Sequence, residues 1–374
     1  MPLDAPFFTA QSRLMVIAPH PDDESLACST VAQRAVRAGA RVRVIYATDG
    51  DNNPWPQRTI ERKWCLTEFD RARWGQLRRK EALNALEVLG VGWSDADFLA
   101  LPDQGLTDLL LAGCPRTLQR LTHCIAEWAP TDLIVPDISD IHPDHNALAL
   151  MLRLVLENLS PDARPSSSWS FVVHGKSEDF MSRATALRQT PEEAAVKIAA
   201  IRCHNTQLKL SCGRFMAYAA RPEHCLPLEV ESCQPASGCL RNAWRDSGNF
   251  VVTVPVARRR FLPGRANLLF FGREPAGRQL CARIPVENSA DTSEMFDCAT
   301  GASICRVQTD GNLLSGLSIA IPRSVFSSDD ALYLKLERRR IFFDEAGWIE
   351  LAAQMEAVPA ASDDIHGELL VAAG

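Results

Sequence analysis

The stretch IAPHPDDESLAC (17–28) places one imidazole and three carboxyl groups, His20, Asp22, Asp23 and Glu24, within five positions. A second stretch, DISDIHPDHNALAL (137–150), adds His142, Asp144 and His145. Carboxylates crowded this closely repel one another unless something cationic sits among them. Two imidazoles and one carboxylate, as in His20, Asp23 and His145, are a ligand set for a catalytic metal, because they leave a coordination position for water. Structural zinc sites are closed and usually thiolate-rich, whereas the twelve cysteines here are dispersed and include no C-x-x-C pair. Hydrolysis has work for the groups left over. Asp22 could take a proton from the attacking water, and His142, protonated and held by Asp144, could stabilise a tetrahedral oxyanion and protonate a leaving amine. Together these roles amount to metal-assisted amide hydrolysis. Taken alone, Glu24 or Asp144 would read as an ordinary helix-start residue.

Convergence of the two clusters depends on the elements that carry them. RLMVIA (13–18) and RVRVIYA (41–47) are β-branched and apolar, and Leu26, Val31, Ala35 and Val36 recur between them at helical spacing before Gly39, which predicts a βαβ unit. A helix over 77–90, a strand near 97–101, a helix near 115–128 and a strand at 132–136 follow. This alternation predicts an α/β fold, a mostly parallel sheet with helices on both faces. Ligands of such sheets bind beyond the carboxyl ends of the strands, near a switch in strand order. Both clusters lie immediately past a strand. Beyond about residue 232, CQPASG has linker chemistry, and NFVVTVPV, NLLFFG, LCARIPV, SGLSIAIP and ALYLKLE predict a smaller β-rich module of sandwich or barrel type. The expected division is 1–232 for the motif-bearing domain, 240–360 for the β module and 361–374 for a loose tail.

The chain has 374 residues, 46% of them hydrophobic and 23% charged, which suits a soluble globular protein with one sizeable core and a smaller second one. A formal net charge of −6 argues against general binding to nucleic acid or anionic membrane. The N-terminus MPLDAPFF lacks a basic region and a long apolar run, and no apolar stretch is long enough to span a bilayer. Reduced cysteines and a cytoplasmic location are expected.

PHPDDE with the later HPDH resembles the LmbE/PIG-L-like metal-dependent de-N-acetylases, and the likeness extends over roughly residues 12–232 through ATDG (47–50), LRRKEALNALEVLGV, LPDQGL and KIAAIRCHNTQL. The resemblance implies a Rossmann-like fold and Zn²⁺, or another divalent metal, held by His20, Asp23 and His145. It further implies Asp22 as base, His142 as the oxyanion-side partner, and removal of acetyl from an N-acetylglucosamine-type sugar or a lipid- or nucleotide-linked conjugate. Arg78 and Asp103 would be sugar contacts, although an Arg three residues before Glu81 also fits a surface helix pair. His204 and Gln207 read as helix-surface or core-edge residues. Unlike small members of the family, this chain carries an insertion, DNNPWPQRTIERKWCLTEFDRARWGQ, and the C-terminal module. From Gln57 to Glu81 eight basic residues face four acids, and Trp55 could stack on a sugar ring. That segment is either a flap for an anionic substrate or a solvated face with Trp64 and Trp74 buried.

Three other readings compete. An amidase acting on a thiol-sugar conjugate would need the same metal chemistry. A 2-His-1-carboxylate Fe(II) oxygenase shares the ligand set, but Asp22 and His142 would then have no task. A glycan-binding protein without activity would not need every one of these groups.

Overall fold

The structure is a computed structural model that describes residues 5–175, 178–228, 242–245, 248–254, 266–286, 292–312, 316–337, 339–340 and 342–351. The expected linker (233–238) and the tail from 361 lie outside the described residues.

The first sheet has seven strands: β1 (Arg13–Ala18), β2 (Arg41–Thr48), β3 (Ala96–Leu101), β4 (Asp132–Pro136), β5 (Ser167–Phe171), β6 (Thr185–Leu187) and β7 (Glu223–Pro227). Their order is β3-β2-β1-β4-β5-β7-β6. The first five pair in parallel, and β7 is antiparallel to β5 and β6 at one edge. Strand order reverses between β1 and β4, and the two clusters follow these two strands. Helices α1 (Asp23–Ala27) and α2 (Ser29–Arg37) join β1 to β2, and α3 (Pro54–Glu61) and α4 (Glu68–Val88) precede β3. Next come α5 (Leu106–Leu111) and α6 (Pro115–Trp128), then α7 (Pro143–Asn158) after β4, and finally α8 (Glu178–Arg183), α9 (Pro191–Cys203) and α10 (Asn205–Ala219). The four predicted strands are present within a residue or so of their expected bounds. Helix α4 begins nine residues before the predicted start at 77, because Thr67 and Asp70 form a reciprocal capping box there.

Among the described residues the C-terminal β module takes the barrel-like rather than the sandwich form of the two expected. Nine of its strands form one antiparallel sheet, built among others from 249–254, 266–273, 279–286, 316–322 and 332–337, and 339–340 pairs with 343–344 in a separate two-stranded sheet. One face of the larger sheet, with Leu268, Phe270, Leu280, Ala282 and Ile284, encloses a core of its own. The other, with Leu269, Phe271, Cys281 and Tyr333, joins the core that holds Leu148, Leu152 and Val155 of α7. Helix α7 is therefore covered from two sides, which explains why ALALMLRLVL lacks a polar face. Strand alternation puts successive residues of 266–273 into two different cores.

Candidate active site

The loop after β1 begins with PHPDDE. The Asp23 carboxylate accepts the His20 backbone N–H at 2.9 Å and closes the turn, so His20 and Asp23 face the same point. Asp22 between them has φ of +143°, a strained conformation for a residue with a Cβ. Its N–H donates to Glu24 Oε2 at 2.9 Å, and its carboxylate accepts from Arg78 of α4 at 2.8 Å. Arg78 also donates to the carbonyls of Pro21 and Gly50. A Cβ at Gly50 would collide with the guanidinium, which accounts for the glycine in ATDG. Arg78 is thus a buried strut beneath Asp22 rather than one half of a surface pair, and Glu81 instead binds Thr206.

Three donor atoms converge on one point: His20 Nδ1 and His145 Nε2 lie 3.2 Å apart, His145 Nε2 and Asp23 Oδ2 3.3 Å, and His20 Nδ1 and Asp23 Oδ2 3.5 Å. A tetrahedral Zn²⁺ with N and O ligands at about 2.0–2.2 Å requires donor separations of about 3.3–3.6 Å. The outward nitrogen of each imidazole meets carboxylate. His145 Nδ1 is 3.1 Å from Asp140 Oδ2, and His20 Nε2 is 3.2 Å from both Asp103 Oδ1 and Asp144 Oδ2. N–H donation to these carboxylates turns both inward nitrogens into lone-pair donors, the arrangement metal-ligating histidines favour.

The electrostatics point the same way. Burial by itself would lower the His20 and His145 pKa values, but the surrounding carboxylates raise both above the ordinary imidazole value. Burial would raise Asp23, yet His145 and His20 hold it well below the usual carboxylate range. The buried acids Asp22, Asp23, Asp103, Asp140 and Asp144 outnumber the cations around them, and a divalent ion meets that demand without protonating the imidazoles. The residues present therefore fit a metal. Among the described residues three further groupings, His20/His142/His145, Asp23/His145/His174 and His20/Asp103/Asp144, have ligand atoms within 4.8 Å of one another.

One sequence expectation needs correction. Asp144 does not hold His142 by its carboxylate, which is occupied by His20 and by the Gln104 and Leu106 N–H groups at 2.7 and 3.1 Å. The Asp144 backbone N–H instead donates to His142 Nδ1 at 3.2 Å, so the proton of a neutral His142 sits on Nε2. Burial pushes the His142 pKa well below the ordinary imidazole value, and the charges of His20, His145, His174 and Arg214 add to the effect. Asp103 orients His20 and accepts the Asn52 N–H at 2.6 Å, so its carboxylate is already engaged in the protein.

The site opens into a cavity of about 250 Å³ lined by His20, Asp22, Arg78, Asp103 and His142 and also by Trp55, which is 48% exposed. Burial pushes Asp22 up to about 6, with the Arg78 guanidinium opposing the shift. In the insertion Trp74 is buried and Trp64 is 76% exposed, which fits neither alternative fully. Its charges are mostly engaged, Lys63 and Arg73 with Asp70, Arg73 with Glu61, and Arg71 with Asn52.

Asp140, His174, Glu24 and His204 belong to the site's support although sequence reasoning gave them no role there. Asp140 stands at a strand's carboxyl end in the quoted motif, and His174 follows β5 in the same way. Glu24 accepts from the Asp22 N–H and lies 3.0 Å from His204 Nε2; His204 is buried, not on a helix surface. Gln207 is likewise buried and lines the cavity.

Residues 15–156 match the family model described as PIG-L: GlcNAc-PI de-N-acetylase. The chain carries a domain of this PIG-L (LmbE-like) deacetylase family. It is 30% identical over 146 residues to a 1D-myo-inositol 2-acetamido-2-deoxy-alpha-D-glucopyranoside deacetylase of Mycobacterium avium, covering 36% of this chain and 47% of the relative. The enzyme of the same name from Corynebacterium glutamicum is 28% identical over 145 residues, covering 36% and 49%. The chain thus spans about half the length of these relatives. Among solved structures, it is similar to N,N'-diacetylchitobiose deacetylase from Pyrococcus horikoshii at a TM-score of 0.46 and 18% identity, covering 58% of this chain and 84% of that one. No helix among the described residues is long and apolar enough to cross a membrane.

Proposed function

We propose that the chain is a divalent-metal N-deacetylase that hydrolyses the acetamide of an N-acetylglucosamine-type sugar or conjugate, releasing acetate and the free amine. The observation that carries this reading is the triangle of His20 Nδ1, Asp23 Oδ2 and His145 Nε2, with edges of 3.2 to 3.5 Å and a carboxylate behind each imidazole. These three residues would hold Zn²⁺ or a similar ion, which supplies Lewis acidity towards the acetamide carbonyl and makes water acidic enough to attack near neutral pH. Asp22, fixed by Arg78 and by the Glu24 contact to its N–H, takes the proton of the attacking water. His142 donates from Nε2 to the oxygen that gains charge as the new C–O bond forms. Asp22 then returns its proton to the nitrogen as the C–N bond breaks, so the amine leaves neutral. Asp103 and Asp144 hold His20, and Asp140 holds His145. Trp55 on the cavity wall supports a sugar-sized substrate.

The test is acetate release by metal-reconstituted protein across free, inositol-linked, nucleotide-linked, lipid-linked and polymeric N-acetylated amino sugars. Metal-dependent acetate release from at least one is expected. Release from none above the metal-free control would overturn the assignment.

A further inference from the structure

The C-terminal module reaches the site. Its segment 342–351 lies against the loop after β4: the Asp344 N–H donates to the Ile141 carbonyl at 2.8 Å and the Trp348 N–H to the Ile138 carbonyl at 2.7 Å. Asp344 pairs with the buried Lys335, and both bind Asn146, the residue after His145, at 3.2 and 2.9 Å. Gly347 sits directly on the backbone of Ile138 and Ser139, leaving no room for a Cβ. These contacts fix Phe343, next to Asp344, in the wall of the cavity that holds His20 and Asp22. The Phe343 ring lies 5.6 Å from that of His142 and 5.2 Å from that of His174, with the Arg214 guanidinium 5.8 Å over it.

We propose that Phe343, supplied by the C-terminal module, is a specificity-determining residue whose ring packs against the sugar side of the substrate and favours amino sugars that carry an attached ring. The proposal rests on the deacetylase reading. With the acetamide carbonyl between the metal ligands and His142, the methyl group and the nitrogen that carries the sugar extend from the reacting carbon in different directions. The acetyl group is small, and the cavity of about 250 Å³ has room for more than a single methyl group beyond the carbonyl. An aromatic face can pack on the C–H face of a ring, and Arg214 above it can meet hydroxyl oxygens. The segment is pinned at Asp344 and Gly347, so the surface is preorganised and little ordering entropy opposes binding.

The experiment uses the full-length protein reconstituted with Zn²⁺, comparing Phe343→Ala and Phe343→Leu with the parent on two substrate pairs. One pair is N-acetylglucosamine and its cyclohexyl glycoside; the other is N-acetyl- and N-propionylglucosamine. Both variants are expected to lower the kcat/KM preference for the glycoside about tenfold while leaving the acetyl-over-propionyl preference within about twofold. Gly347→Ala, which displaces the same segment, should lower the glycoside preference in the same direction. An unchanged glycoside preference in folded Phe343→Ala, or a shift confined to the acyl pair, would overturn the proposal. Calorimetric binding of the deacetylated glycoside separates this result from failure of the deacetylase reading. If the parent releases no acylate, tighter binding by the parent than by Phe343→Ala still supports the ring contact, and equal or absent binding overturns it. Phe343→Leu keeps an apolar side chain and serves as the folded control should Phe343→Ala melt early.

Discussion

Asp140 Oδ2 lies 3.1 Å from His145 Nδ1 and also accepts the Val173 and His174 N–H groups at 2.9 and 3.0 Å. One buried carboxylate thereby joins the loops after β4 and β5 and fixes the tautomer of a proposed metal ligand. Asp140→Asn should weaken metal binding by about 10- to 100-fold, the usual cost of losing such a partner. Competition with a chromogenic chelator measures it. An affinity equal to the parent's would mean that the imidazole is oriented without Asp140.

His20→Ala, Asp23→Ala and His145→Ala should each go further and leave substoichiometric metal and no turnover. Elemental analysis after dialysis is the check. Any one of the three that retains full metal and near-normal activity is not a ligand.

Asp22→Asn should retain the metal and lower kcat by about 10² or more, the scale of a lost general base. Backbone strain supplies an independent test. At φ of +143° a glycine is at ease and an alanine is not, so Asp22→Gly should be more stable than Asp22→Ala by about 1 kcal/mol, although both lack turnover. Equal unfolding midpoints would show that this backbone stores no strain.

Lys335 and Asp344 form a buried ion pair at the contact between the C-terminal sheet and α7. Lys335→Met should cost about 3–5 kcal/mol by leaving Asp344 buried without its cation, whereas Lys335→Met with Asp344→Leu should cost less than that single change. Urea unfolding of the two variants decides. A double variant no more stable than the single would place the energetic value of the contact elsewhere.

Replacing Arg62, Lys63 and Arg71 with Gln should alter KM for a phosphorylated N-acetyl sugar and for its neutral counterpart equally. Lys63 and Arg71 already serve Asp70 and Asn52, so the basic run reads as an internally compensated face. A selective, salt-sensitive rise in KM for the anionic sugar would restore the flap reading.

Much of this protein was legible in its sequence because the signals are local. Apolar β-branched runs at 13–18, 41–47 and 132–136 dictate strands, helical spacing between them dictates crossovers, and the parallel pairing that follows brings PHPDDE and HPDH to one sheet edge. The types of His20, Asp22, Asp23, His142 and His145 limit the chemistry. What only tertiary structure decided is which carboxylate faces which imidazole. Asp144 follows His142 by two positions, yet its side chain turns to His20, because α7 starts at Pro143 and points the two residues in different directions. Arg78 and Asp22 are far apart in sequence and meet only because α4 packs beneath the β1 loop. Burial also pushes the His142 pKa down, and burial is a property of the packed whole. The arrival of Phe343 at the cavity and of Lys335 and Asp344 behind His145 depends on how the second sheet docks on α7. The alternation in strands 266–273 and 279–286 shows two apolar faces but cannot name what each will cover.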